Sequence, residues 1–154
     1  MAAKKGRRKV EYSEFEHLLE SVRSDHPFWF ENFEGWRSTE EQIAETEVIL
    51  GVSLPAAYRR FMLTAGGGGF GFLDILPLNP QEGSVEDLES VNREQWWDAD
   101  FVAFSPVGTG DLWGFLVDNG VCSDQVTFLD HETRDMVPEH QDFLEFLVSK
   151  ALKP

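Results

Sequence analysis

The sequence predicts an α+β domain in which a largely antiparallel sheet meander is flanked by helices. Three observations carry that expectation. Apolar residues recur at helical spacing in the first part of the chain and again at its end. Short runs rich in β-branched and aromatic residues, separated by turn residues, fill the region between them. The length of 154 residues fits one domain with a core of its own. The expected order is three helices, a strand, a helix, three strands and a last helix, with residues 1–10 as a disordered basic tail and 11–154 as the domain.

The first helix is expected over 11–23, because Phe15, Leu18, Leu19 and Val22 stand at i, i+3, i+4 and i+7. Glu11 and Glu14 suit its N-terminal end and Arg23 its C-terminal end. Phe28, Trp29, Phe30, Phe33 and Trp36 follow as an aromatic-rich linker whose rings cap the core. In the next helix Ile43, Glu47 and Leu50 fall at helical spacing. Ser38 or Thr39, each three residues before Glu41 or Gln42, supplies a capping box, and Gly51 supplies the left-handed terminator. Pro55 suits the first turn of a third helix, which carries Tyr58, Phe61 and Met62 on one face and stops at Gly66.

Beyond the glycines a strand is expected over 70–76, then a helix over 84–97 with Ser84 as N-cap and Leu88, Val91 and Gln95 inward. Strands are expected at 101–104, 112–117 and 126–129, with Asp118-Asn119-Gly120 as a hairpin turn. A helix over about 139–151 closes the chain, with Phe143, Phe146 and Leu147 inward.

Charge is the strongest compositional feature. Lys and Arg number 13 against 28 Asp and Glu, a net charge of −15. Five cations (Lys4, Lys5, Arg7, Arg8 and Lys9) lie in the first ten residues, which hold no acid. The remainder therefore carries 8 cations against 28 acids, or −20. Such a body repels phosphate backbones and attracts cationic proteins, which argues against nucleic acid as its partner. The single cysteine, Cys122, allows no internal disulfide and suggests a reducing compartment. No run approaches a membrane span and no apolar segment follows the basic start, so a cytoplasmic protein with no membrane partner is expected.

The ordered set Glu47, Leu50, Gly51, Leu54, Pro55, Tyr58, Phe61 and Met62, with Trp36 ahead of it and a glycine cluster behind it, resembles the signature of the SUKH superfamily, the Smi/Knr-type domains. Ala65-Gly66-Gly67 stands where that signature has Asn-Gly-Gly. The segment 101–104 followed by Gly108-Thr109-Gly110-Asp111 is similar to the family's later strand and Gly-Asp turn, so the resemblance covers about residues 30–150. It implies an α+β fold and a protein-binding role. Bacterial members are immunity proteins that neutralise a cognate toxin, frequently a nuclease. Eukaryotic members regulate cell-wall synthesis and signalling.

Chemistry finds little support among the residues. Gly66-x-Gly68-x-x-Gly71 spells a dinucleotide fingerprint, but the helix precedes and the strand follows, the reverse of what that fingerprint needs. His17, His26, His131 and His140 make no zinc spacing with Cys122. Asp130-His131-Glu132 reads as a solvated turn, and the acids near Cys122, Asp118 and Asp124, raise its thiol pKa. Accordingly no enzyme, cofactor or metal is expected. One constellation fits recognition: Trp96, Trp97, Asp98 and Asp100, joined by Asp111 and Trp113 across a glycine turn. Rings anchored among acids suit the grip of a basic protein surface. The expected function is an immunity-type module that neutralises a basic toxin by direct binding. The alternatives are a regulatory adaptor and, less well supported, a metal-binding enzyme using the acidic turns.

Overall fold

The computed structural model describes residues 9–78 and 86–153. Helix α1 (Tyr12–Asp25) and a short 3-10 helix (Pro27–Phe30) lead into α2 (Glu40–Leu50) and α3 (Ala56–Thr64). A hairpin of β1 (Gly68–Phe70) and β2 (Leu73–Ile75) follows, then α4 (Leu88–Arg93). The main sheet is built from β3 (Phe101–Pro106), β4 (Leu112–Asp118), β6 (Val126–Leu129) and β7 (Met136–His140), in the order β3-β4-β6-β7 with every pair antiparallel. Strand β5 (Val121–Cys122) pairs with the end of β4, and α5 (Phe143–Lys150) closes the chain. This is the α+β meander flanked by helices that the sequence predicts. Among the described residues no helix is long and apolar enough to cross a membrane.

Local chemistry explains why the motif residues stand where they do. Thr39 and Gln42 form the capping box of α2, and Gly51 closes that helix at φ +69°. The Glu47 carboxylate reaches forward to accept the Leu54 N–H at 2.8 Å, which fixes the connection into α3. Ser53 then ties this connection to the β4–β5 hairpin: its N–H donates to Gly120 O at 2.7 Å and its carbonyl accepts from Cys122 N–H at 3.0 Å. Asn119 and Gly120, at φ +51° and +77°, turn that hairpin in the left-handed region its two-residue loop requires.

The core lies on the face of the sheet that bears Val102, Phe104, Trp113, Phe115 and Val126, against α1, α3 and α5. Its centre is aromatic: Tyr58 meets the rings of Phe104, Phe115 and Phe143 at 5.7, 5.5 and 5.2 Å. A smaller cluster on the opposite face joins Trp97, Phe101, Ala103, Leu112 and Leu129. Asn92 on α4 seals the edge strand. Its Nδ2 donates to Ala103 O at 2.8 Å and its Oδ1 accepts from Ala103 N–H at 2.9 Å, satisfying backbone groups an edge would otherwise expose.

Several expected elements take other bounds. The strand at 70–76 is the β1–β2 hairpin, because Gly71 turns at φ +60° where α5 comes so close that a Cβ would overlap Ala151 O. The helix expected over 84–97 begins only at Leu88, where Asp87 accepts the Ser90 N–H at 2.8 Å. It ends by Glu94, with Gln95 exposed rather than inward. The Ser84 cap lies outside the described residues. Glu139 belongs to β7, not to the last helix, which starts after its cap Asp142. Pro138 obscures β7 in the sequence, yet β7 ends the sheet order, where a missing N–H is tolerated. The aromatic linker contains the 3-10 helix; Phe30 lies in the core and Trp29 and Phe33 pack against it, but Phe28 is 80% exposed and caps nothing. Most of the expected basic tail lies outside the described residues, although Val10 packs against the core.

An acidic aromatic cleft between the helix-four exit and two sheet loops

The register of β4 on β6 builds the candidate site. Leu112 pairs with Leu129, so the residues just outside that pair, Asp111 and the 130–135 loop, meet at one end of the sheet. Asp111 is the junction. Its Oδ1 accepts from the His131 backbone N–H at 2.9 Å and lies 2.7 Å from His131 Nδ1, while its Oδ2 accepts from the Thr109 hydroxyl at 2.7 Å. These hydrogen bonds hold the Asp111 carboxyl down at about 2. In return the Asp111 carboxylate raises the His131 pKa, with smaller contributions from Glu132 and Asp130, against a weaker opposing effect of burial.

Next to this junction a cavity of about 190 Å³ is walled by Glu86, Glu94, Trp96, Trp97, Val107 and Asp111. Among its described lining residues are three carboxylates and no cation. Trp96 and Trp97 meet edge to face at 5.4 Å. Trp97 is held from behind: its Nε1–H donates to Phe101 O at 3.2 Å, and the Gln95 amide donates to the Trp97 carbonyl at 2.7 Å.

The six residues singled out in the sequence do not form one patch. Trp96, Trp97 and Asp111 share this cleft, but Trp97 is only 4% exposed and belongs to the smaller core cluster. Trp113 is 6% exposed and faces the main core, where it meets Phe128 and Phe146; it is a core ring and no exposed anchor. The reason is register: Leu112 and Trp113 are adjacent on β4 and so point to opposite faces of the sheet. Asp100 lines a separate cavity of about 430 Å³ with Ile49, Val52, Glu89 and Arg93. Asp98 lies on an exposed bend. The sequence reading missed Glu86 and Glu94 as cleft walls, and missed Arg134, whose guanidinium lies over the Trp96 ring. Glu94 is two residues from Trp96 and its side was readable only once the end of α4 was known.

Two chemical alternatives can be placed. Asp111, Asp130 and His131 offer ligand atoms within 4.8 Å of one another, a geometry open to a cation. Both Asp111 oxygens already accept hydrogen bonds, and Asp130 Oδ1 accepts from the backbone N–H groups of Glu132 and Thr133 at 2.8 and 3.1 Å, so an ion would compete with the turn's own donors. Cys122 is buried, and its thiol is pushed up to about 12, first by burial and then by Glu47, rather than by the nearby aspartates. That suits a packed core side chain and disfavours a nucleophile. The glycines read against a dinucleotide site stand as expected: they leave α3 and enter β1.

In comparisons with known proteins, the family model SUKH_6, described as SMI1-KNR4 cell-wall, matches residues 40–147, more than half of the chain. No curated protein matches.

Proposed function

Because the chain belongs to the SMI1-KNR4 family of SUKH domains, we propose that it is a protein-binding module of the immunity type, which neutralises a cognate basic toxin inside the cell by docking on it. The observation that carries this reading is the acidic cleft: three carboxylates around Trp96 on a chain of net charge −15. Carboxylates meet the Lys and Arg side chains of a basic surface, and an indole supplies an apolar anchor among them. Nuclease-type toxins carry basic surfaces to hold their substrates, so covering that surface would block the substrate path. The long-range field accelerates encounter, and the cleft sets the contact. Asp98, on its exposed bend, belongs to the rim of the proposed surface. The work done is binding, with no reacting group and no cofactor.

The test is purification of the tagged chain from its native cell at low salt, followed by reconstitution with the purified partner. One stoichiometric basic protein is expected, with its activity suppressed by this chain and an association rate that falls as salt rises. Salt-insensitive association, or a partner whose activity is untouched, would sink the reading. The cell-wall description of the matching family favours a second reading, a regulatory adaptor of envelope synthesis. Recovery of envelope-synthesis or signalling proteins would select it.

A further inference from the structure

The Trp96 wall of the cleft already carries a cation. Arg134, on the exposed 130–135 loop, lays its guanidinium 5.1 Å from the centroid of the Trp96 ring, and its Nη1–H donates to the Trp96 carbonyl at 2.8 Å. The backbone is set for this. Arg134 sits in the left-handed region at φ +66°, and its N–H donates to Asp130 O at 2.9 Å. Three residues earlier the same loop places His131 on Asp111. One loop therefore sets two nitrogen-rich groups against two of the residues that line the cleft, Trp96 and Asp111, without lining it itself. A planar guanidinium can lie over an indole and donate in its own plane at once, whereas a compact, strongly hydrated ammonium with freely rotating donors is less well preorganised for that pair of contacts.

We propose that the Trp96 wall is an arginine-reading subsite whose resident ligand is Arg134, and that an arginine of the docking protein exchanges with it. This rests on the protein-binding reading above and names the chemistry it selects. Self-occupancy has a cost and a use. The partner's arginine must displace an equivalent group, so apparent affinity is reduced by the fraction of time the subsite is filled. A lysine pays more to shed its hydration and is less preorganised for the two contacts, so it displaces the resident group less well and the occupied subsite discriminates against it. The displaced 130–135 loop would still be anchored by its neighbours in β6 and β7, so exchange needs no unfolding of the sheet.

The probes are the peptide Gly-Arg-Gly-Arg-Gly and its lysine counterpart, titrated against the full chain by calorimetry and followed, in variants that keep Trp96, at its indole N–H by NMR. Arg134→Gln should bind the arginine peptide about three- to ten-fold more tightly than the parent chain, the loss of about one exposed cation–π contact and its hydrogen bond from the competing state. The lysine peptide should gain much less. Arg59→Gln removes an exposed cation elsewhere and controls for net charge. Trp96→Leu in the Arg134→Gln background should abolish the gain, with thermal melting confirming that the fold is retained. Equal affinity of Arg134→Gln and parent for the arginine peptide, or an equal gain in Arg59→Gln or for the lysine peptide, would overturn the exchange. If the basic partner still binds in a salt-sensitive way when that happens, only the exchange fails. If partner binding itself proves salt-insensitive, the protein-binding reading fails, and the peptide titration still decides the subsite.

Discussion

Tyr58→Phe removes a single oxygen from the centre of the core. Tyr58 is fully buried, and its ring packs against Phe104, Phe115 and Phe143, contacts that phenylalanine keeps. Among the described residues its hydroxyl has no hydrogen-bond partner, and burial drives its pKa far upward. An unsatisfied buried hydroxyl costs about 1–3 kcal/mol. Its removal leaves a void of about one oxygen atom, worth only a few tenths of a kcal/mol, on the order of 0.2–0.3, by the cost of cavity volume. The substitution should therefore stabilise the protein by about 1 kcal/mol or more. For a chain of this length that corresponds to a rise in Tm of roughly 2–4 °C. Guanidinium unfolding followed by tryptophan fluorescence is the assay, with the denaturant slope expected to stay unchanged. A loss of about 1 kcal/mol or more would refute the reasoning, since it would mean that the hydroxyl holds a partner.

The Asp111–His131 pair predicts a pH window. Asp111 is depressed from 3.8 to about 2, so its contribution is present above pH 3.8 and is lost as pH falls through about 2. His131 is raised from 6.5, so its contribution is full below pH 6.5 and fades as pH rises through the shifted value. The unfolding midpoint should fall between pH 6 and 8 in the parent and fall less over that range in Asp111→Asn, where Glu132 and Asp130 remain, and the His131 titration followed by NMR should move down in that variant. Gly114→Ala should destabilise by about 2 kcal/mol or more, because the new Cβ would overlap Val102 O and the Phe101 ring across β3 and β4; a folded variant of parental Tm would show that the strands can separate locally. Glu94→Lys reverses a charge on the cleft wall and should slow association with the basic partner several-fold at low salt, with the difference shrinking as salt rises; surface plasmon resonance across a salt series reads it.

What the sequence made legible follows from the range of the interactions involved. The α2–α3 unit was readable because its determinants are local: Thr39 with Gln42, Gly51 at φ +69°, Pro55 ahead of the helix. The β4–β5 turn was readable for the same reason. β7 was not, since Pro138 and Glu139 break the strand pattern: Pro138 is held by pairing with Thr127, and Glu139 is the extra residue where the register shifts before His140 pairs with Val126. The end of α4 depends on a partner outside the helix too, since Asn92 bonds to Ala103 on the edge strand. The candidate site shows the same division. Trp96 and Asp111 were visible as residue types, but their meeting depends on the β4–β6 register, and so does the sorting of Trp113 into the core. Arg134 stands 38 residues from Trp96 and its contact has no signal in a single sequence.

The placement of the cations bears on how this protein behaves among other macromolecules. Of the eight beyond residue 10, Arg23, Arg60, Arg134 and Lys150 lie over Phe30, Tyr12, Trp96 and Trp113, and Arg93 pairs with Glu89. Most of the body's positive groups are thus engaged at home. At long range a net charge of −15 works against the approach of other polyanions. At contact range the described body beyond residue 10 also leaves few cationic side chains unengaged with which a phosphate or a foreign carboxylate could form a foothold. The two effects act at different distances and in the same direction, so accidental adhesion is suppressed even when salt has screened the field beyond about 10 Å. Among phosphates and other anions, the carboxylate surface would then stay open to cationic groups that reach it.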